Sequence, residues 1–343
     1  MRVAMWYNNR DVRVEEMPVP KIGPGEILVR IEASGLCGSD GMEWYRLHKA
    51  PLVLGHEVAG EVVEVGKDVT TRFRTGDRVS VAHHVPCNTC HYCVNGHHSA
   101  CKTLQSTNFD PGGFAEFVRV PSINVDRGVF KYSEEVSHED ATFVEPLACV
   151  VRGQRIAGLR PGNTVFVVGC GISGQLHVQV ARTMGAGRIL AMDTIPFRLK
   201  MAQKFGADAV LSSEDNVPEQ VRELNDGRLS DLVILCRGKW IPLGLRSVER
   251  GGTVLFFAGA GQDDRIPIPV NDLFWRTEVT LTSSYAGPPA DSIAALSLIR
   301  SKRVPVNGMI THRLALAESG KGFHLLTHPT EQNSMKVVIF PQK

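Results

Sequence analysis

The chain has 343 residues, 43% of them hydrophobic and 22% charged, the composition of an ordinary folded protein with length for about two domains. Its net charge of +2, with no run of basic residues, argues against a nucleic-acid or membrane-surface binder. No apolar run approaches the ~18 residues that a membrane span requires.

The first stretch, Met1-Arg2-Val3-Ala4-Met5-Trp6-Tyr7, lacks a signal-peptide pattern and reads as a strand. With no export signal, the eight cysteines point to metal binding over disulfides, and the cytoplasm is the expected compartment. Strands are expected over 2–7 and 12–17, joined by the turn composition Asn8-Asn9-Arg10-Asp11. The alternation in 26–33 reads as a half-buried strand, and more strands are expected over 58–65, 78–81 and 114–120, separated by Gly and Pro. Many short strands of this kind suggest a small barrel.

Inside this region Cys87, Cys90, Cys93 and Cys101 form a Cys-x2-Cys-x2-Cys-x7-Cys array. Four thiolates from one short loop suit a closed tetrahedral Zn²⁺ site with bonds of ~2.3 Å, and the metal alone could fold the loop. Taken by itself the array allows a nucleic-acid-binding ribbon, a redox centre or a structural clip. A ribbon predicts basic surroundings, whereas this loop carries only Lys102 and several histidines.

From about Cys149 the texture changes to alternating strands and helices. Strands are expected over 164–169, 188–193, 209–211, 231–235, 253–257 and 278–282, with helices over 173–184, 197–205 and 218–225. Such βαβ alternation implies a doubly wound parallel sheet covered on both faces. The chain closes with a helix over 290–300, a strand over 310–314, another helix and a strand over 335–340, a tail too small to fold alone that is expected to return to the first domain.

Gly169, Gly171 and Gly174 sit between the first of these strands and its helix, in the Gly-x-Gly-x-x-Gly pattern that cradles a dinucleotide pyrophosphate. Ile172 and Ser173 open the helix, where free N–H groups and the dipole favour an anion. Asp193 ends the next strand, nineteen residues after Gly174, where a carboxylate can bind a ribose 2′-hydroxyl and repel a 2′-phosphate, so NAD(H) is expected over NADP(H). The competing reading makes Asp193 a helix cap ahead of Pro196. Arg198 could flank the adenine.

Three further motifs are weak one by one: Gly35-Leu36-Cys37-Gly38-Ser39-Asp40, Gly55-His56-Glu57 and Phe143-Val144-Glu145-Pro146-Leu147. A lone cysteine is more often a small buried hydrophobe. In their order and spacing with the cysteine array and the glycine fingerprint, they resemble the zinc-dependent medium-chain alcohol dehydrogenases over essentially the whole chain. The branch resembled is that of the polyol (sorbitol) and threonine dehydrogenases, because Glu145-Pro146-Leu147 stands where the alcohol dehydrogenases proper supply a second cysteine ligand.

The resemblance implies a GroES-like β-barrel catalytic domain over 1–148 and 287–343 carrying both zinc sites, and a Rossmann domain over 149–286. It implies a catalytic Zn²⁺ on Cys37 and His56 with Glu57 and Glu145 nearby, a structural Zn²⁺ on Cys87, Cys90, Cys93 and Cys101, and Ser39 as the first step of a proton relay. The implied reaction passes hydride between a secondary alcohol (a polyol, amino alcohol or related small molecule) and NAD(H), with Zn²⁺ as Lewis acid. A homodimer or homotetramer, with no nucleic-acid or membrane partner, is expected. Counting charge, Cys37 and one glutamate neutralise Zn²⁺, so one carboxylate is expected to move off when substrate binds.

Several positions depart from the family pattern. Met42 stands where a histidine is usual, with His48 as a conceivable substitute, and Arg152 also replaces a histidine. Cys236-Arg237-Gly238 places a cation near the cofactor, which hints at a polar or anionic substrate group, and Ser283-Ser284-Tyr285 replaces a Gly-Ser. Met42, Trp44, Tyr45, Phe274 and Trp275 are candidates for the substrate pocket. The alternatives are a zinc-independent enone or quinone reductase of the same superfamily and a non-catalytic zinc-binding protein.

Overall fold

A computed structural model describes residues 1–343 apart from Ser213, Asp264 and Pro267. The chain forms two compact units, Met1–Ala148 with Ala286–Lys343, and Cys149–Tyr285. Among the described residues no helix is long and apolar enough to cross a membrane.

The first unit is built on a seven-stranded sheet. Its order is Ile310–Ala315, Lys336–Phe340, Ile27–Gly35, Glu57–Val65, Arg78–Ala82 and Val129–Lys131, and Phe117–Val120 also pairs with Ile27–Gly35. Strand Ile27–Gly35 is buried except at Arg30 and Glu32, because neighbours cover it on both edges. Its apolar residues pack with Val58, Val62, Val79, Val81, Val118 and Val120 into one core. A hairpin of Arg2–Asn8 and Asp11–Glu16, extended by Leu52–Val53, forms a second, three-stranded sheet.

Helix Ser319–Thr327 explains why the tail joins this unit: Phe323 is fully buried and meets Phe114 edge-on at 6.1 Å. Burying such a ring stabilises by ~1.5–3 kcal/mol, which an isolated tail could not gain. The strand expected over 114–120 starts only at Phe117. Upstream, Phe114 and Ala115 leave the ladder to fill the core beside Trp6, touching strand Arg2–Asn8 at the single bridge Val3↔Ala115.

Register sets what comes next. Gly35 pairs with Glu57 and Ser34 with Val58, so Cys37 and His56 leave adjacent strand ends side by side. On the other edge Val338 pairs with Gly35, which brings the start of Lys336–Phe340 to the same place.

The second unit is a six-stranded sheet, parallel at every pairing. Its order is Ala209–Leu211, Arg188–Met192, Thr164–Val168, Ser230–Leu235, Val248–Phe256 and Thr280–Ser283. Counted along the chain within this unit, that is the 3-2-1-4-5-6 order of dinucleotide-binding sheets, in which strand order reverses beside the first strand. Thr164–Val168 is buried at every position, and apolar clusters cover both faces of the sheet. The strand expected over 253–257 begins earlier, at Val248. Gly251 and Gly252 form an irregularity within the strand, with Gly251 at φ 72° and the register shifting opposite Ser230 and Leu232.

Candidate active site and metal centres

Cys37, His56 and Glu57 converge: one potential ligand atom from each lies within 4.8 Å of the other two. A thiolate, an imidazole and a carboxylate together are a donor set for a zinc-type divalent ion. Each ligand has a partner that orients it. Cys37 caps the short turn Gly38–Gly41, and its N–H donates to Asp40 Oδ2 at 3.0 Å. Asp40 is fully buried, and its other oxygen lies 3.3 Å from His56 Nδ1. A carboxylate behind a histidine fixes ring orientation and leaves Nε2 for a metal. Burial would raise the Asp40 carboxyl; His56, Arg46 and the Cys37 N–H outweigh it and hold it below its ordinary value. Burial likewise opposes charge on His56, but Asp40 and Cys37 lift that imidazole well above its usual range.

Glu57 is buried beside Lys336, which is itself fully buried and pairs with the Glu57 carboxylate through Nζ. Lys336 also donates to Leu36 O at 3.3 Å and lies over the Phe143 ring. Gly35 makes room for the pair, since a Cβ there would strike the carboxylate and the lysine chain. Ser39 Oγ donates to Cys37 Sγ at 3.4 Å, and Arg46 Nε donates to Ser39 O at 3.0 Å.

Glu145, on the first turn of helix Val144–Ile156, is not in the three-residue cluster. It lines a neighbouring cavity with His83, His84, Ala286 and Ser292. The His83 ring links the two places, 4.8 Å from the His56 ring and 3.9 Å from that of His84. Burial and the nearby His56 push His83 well below the usual histidine value.

The four cysteines of the array also converge. Sγ separations are 3.9 Å for Cys87–Cys93, 3.6 Å for Cys90–Cys93 and 3.6 Å for Cys101–Cys87. Four thiolates at ~2.3 Å from a tetrahedral ion sit ~3.8 Å apart, whereas a disulfide needs ~2.05 Å. Backbone N–H groups of Cys90 and Cys87 donate to Cys87 Sγ and Cys101 Sγ at 3.3 and 3.4 Å. Backbone donors from Thr89 and Cys90 bring the Cys87 thiol down to about 5, while burial takes Cys93 up to about 12. Such a loop is ready to hold a cation.

In the second unit Gly169 takes φ 98°, a left-handed turn that favours glycine, and helix Ile172–Thr183 starts with Gly171 as its cap. A Cβ on Gly174 would run into the Gly169 carbonyl oxygen. The unpaired N–H groups of the first helical turn, at Ile172 and Ser173, form an anion cradle. Asp193 is fully buried at its edge and serves the turn itself: Oδ2 accepts from Cys170 N at 2.8 Å and Oδ1 from Ile195 N at 3.0 Å. It is not the helix cap, since Ile195 caps Pro196–Lys204. Arg198 lies 3.8 Å from Asp193, with its guanidinium against Gly171 and its buried Nε without a hydrogen-bond partner.

The remaining candidates are scattered. Met42 caps helix Glu43–Arg46, while Trp44, Tyr45 and His48 are exposed. Phe274 and Trp275 belong to the second unit and are also exposed, Trp275 at 70%. Arg237 is exposed over the Trp240 ring, with its backbone beside Gly169; Arg152 is buried; Tyr285 is exposed. Sequence reasoning missed Lys336, His83 and the orienting role of Asp40. Lys336 had a signal, because a lysine opening the apolar run Val337-Val338-Ile339 in a central strand must find a buried partner.

Residues 23–127 match the alcohol dehydrogenase GroES-like domain, and residues 173–301 match the zinc-binding dehydrogenase family. The chain is 32% identical over 282 residues to a sorbitol dehydrogenase of Bacillus subtilis, covering 79% of this chain and 78% of that protein. It is 32% identical over 338 residues to an L-threonine 3-dehydrogenase of Bacillus licheniformis, covering 95% and 94%. A zinc-binding dehydrogenase of Sinorhizobium meliloti, solved bound to NADP, superposes with a TM-score of 0.87 at 28% identity over 99% of both chains.

Proposed function

Because the chain belongs to the zinc-binding dehydrogenase family and carries its alcohol dehydrogenase GroES-like domain, we propose that this oxidoreductase is a zinc- and NAD(H)-dependent dehydrogenase of small secondary alcohols, of the polyol or amino-alcohol class. The carrying observation is the convergence of Cys37, His56 and Glu57, with Asp40 behind the histidine and Lys336 behind the glutamate. Bound there, Zn²⁺ would serve as a Lewis acid that lowers the alcohol pKa from ~16 towards ~7, and NAD⁺ would accept the hydride. Cys87, Cys90, Cys93 and Cys101 would hold a second, structural Zn²⁺ in the GroES-like catalytic domain.

The residues divide the work. Asp40 holds His56 in one orientation. Ser39, next to Cys37, anchored by Arg46 and only half-buried, would accept the alcohol proton as it passes its own hydroxyl proton to water, since Met42 stands where a histidine would have continued the relay. Lys336 cancels the charge of Glu57 and keeps it in place, so the carboxylate that would approach and withdraw is Glu145, on the wall of the neighbouring cavity. With Glu57 neutralised, one thiolate leaves the site with net positive charge, which favours acidification of a bound alcohol.

Gly169, Gly171, Ile172, Ser173 and Gly174 would receive the pyrophosphate, with Arg198 beside it. Asp193 supports NAD(H), because a buried carboxylate at the ribose position opposes a 2′-phosphate. A second reading, NADP(H), has a specific observation behind it: both Asp193 oxygens already accept backbone N–H groups, and Arg198 stands ready for a phosphate. We further assign a homodimer or homotetramer in the cytoplasm; the exposed Val270 and Trp275 and the open edge of strand Thr280–Ser283 support the assembly.

The test is NAD⁺ reduction across polyols, 3-hydroxy amino acids and simple secondary alcohols, with metal analysis of the same protein. Turnover with one class and two zinc ions per chain is expected; a metal-replete protein inert towards every class overturns the reading. NADH and NADPH binding, followed by nicotinamide fluorescence, decides the cofactor. Asp193→Ala should narrow the gap between them, and an unchanged preference removes Asp193 from selectivity.

A further inference from the structure

We propose that the end of helix Ser319–Thr327 and the turn after it form an additional metal site, in which His324, His328 and Glu331 take a divalent transition ion such as Zn²⁺, Ni²⁺ or Co²⁺. One potential ligand atom from each residue lies within 4.8 Å of the other two. The three residues form a cluster of their own, apart from the Cys37–His56–Glu57 and four-cysteine clusters.

The backbone creates the arrangement. His324 and His328 are four residues apart and share one face of the last helical turn. Their rings stack at 4.5 Å with an interplanar angle of 18°. The chain then folds back: Glu331 N donates to His328 O at 3.3 Å and Ser334 N to Pro329 O at 2.9 Å. This return brings Glu331 Oε2 within 2.8 Å of His324 Nε2.

Hydrogen bonding also selects the useful tautomer of His328. The Thr327 hydroxyl has one proton and lies 3.1 Å from both Phe323 O and His324 O. With that proton given to either carbonyl, the Thr327 oxygen faces His328 Nδ1, at 2.9 Å, as an acceptor, and the His324 carbonyl beside the same nitrogen can only accept. We therefore assign the ring proton to Nδ1, with His324 O at 3.2 Å as its other acceptor, and the lone pair to Nε2. Metal-bound histidines are held in the same way, with the far N–H donated to a carbonyl or carboxylate.

The donor set restricts the ion. Two imidazoles and a carboxylate suit Zn²⁺, Ni²⁺ or Co²⁺, whereas Mg²⁺ and Ca²⁺ prefer oxygen throughout. Around a tetrahedral ion, ligand atoms at ~2.1 Å lie ~3.4 Å apart. The His324–Glu331 contact must then open by about half an ångström, which side chains 52% and 50% exposed allow. Water would complete the coordination. An ion there fastens segment 328–334 to the helix, and that segment leads into Lys336.

The test is calorimetric titration of the full, metal-loaded enzyme with Zn²⁺, alongside thermal unfolding with and without added Zn²⁺. The expected result is one ion per chain beyond those present on isolation and a raised Tm. Both should vanish in H324Q/H328Q, and affinity should fall about tenfold in E331Q, a single surface change that leaves the fold intact. Turnover without added metal should be the same in all variants. Absence of the extra ion in the unaltered enzyme, or unchanged affinity in H324Q/H328Q, overturns the proposal. Lack of turnover would bear on the dehydrogenase reading alone.

Discussion

The four-cysteine loop and the Cys37–His56–Glu57 cluster both gather metal-binding atoms within 4.8 Å, yet they are assembled by opposite means. In the loop every ligand comes from residues 87–101, and local backbone N–H groups already point at the sulfurs. In the cluster the ligands leave two strand ends, and their supports arrive from Asp40 on one side and Lys336 on the other. The loop would be folded by the ion that its four thiols suit, whereas the cluster is positioned by the sheet. Catalytic constellations are held more precisely by a rigid frame than by a loop.

Four substitutions probe this contrast, taken from the largest effect to the smallest. Cys87→Ser should unfold the loop, since structural zinc contributes ~10–16 kcal/mol in small zinc-folded peptides; protease cleavage within 87–101 is the readout, and a resistant loop would show that it folds without metal. Cys37→Ser should remove one metal and nearly all turnover while leaving the far-UV spectrum and melting curve close to those of the parent. Loss of the fold would mean that this cluster, too, is folded by its metal. Lys336→Met leaves Glu57 as an uncompensated buried charge and should cost ~3–5 kcal/mol in urea unfolding. Adding Glu57→Gln should recover most of that stability, and failure to do so would mean that Lys336 acts through packing. Asp40→Asn should lower metal affinity or kcat/KM by ~10–100-fold with little change in Tm, as expected for a group that orients a ligand.

Legibility in the sequence followed the same division. The cysteine array and the glycine turn are local patterns, and their geometry is nearly implied by spacing. The parallel sheet was readable because each buried strand is a short apolar run. Lys336 escaped because it meets Glu57 across 279 residues, and only sheet register joins them. His83 escaped because adjacent histidines carry no periodic signal, and its meaning depends on the strand end beneath it. The buried bonds of Asp193 escaped for a related reason: the residue type was expected there, but both of its oxygens serve the local turn.

The Glu57–Lys336 pair also sets a clock. Its partners are 279 positions apart, and at ~5–20 residues per second of synthesis about 15–60 s separate their appearance. During that interval the first strands exist with a carboxylate at a position that the finished barrel buries, and water must keep access to it. The early part of the nascent chain is therefore expected to stay open to proteases and chaperones, and to become resistant only when Lys336 docks. In this molecule the completion of the barrel and the first appearance of activity should be a single event in time.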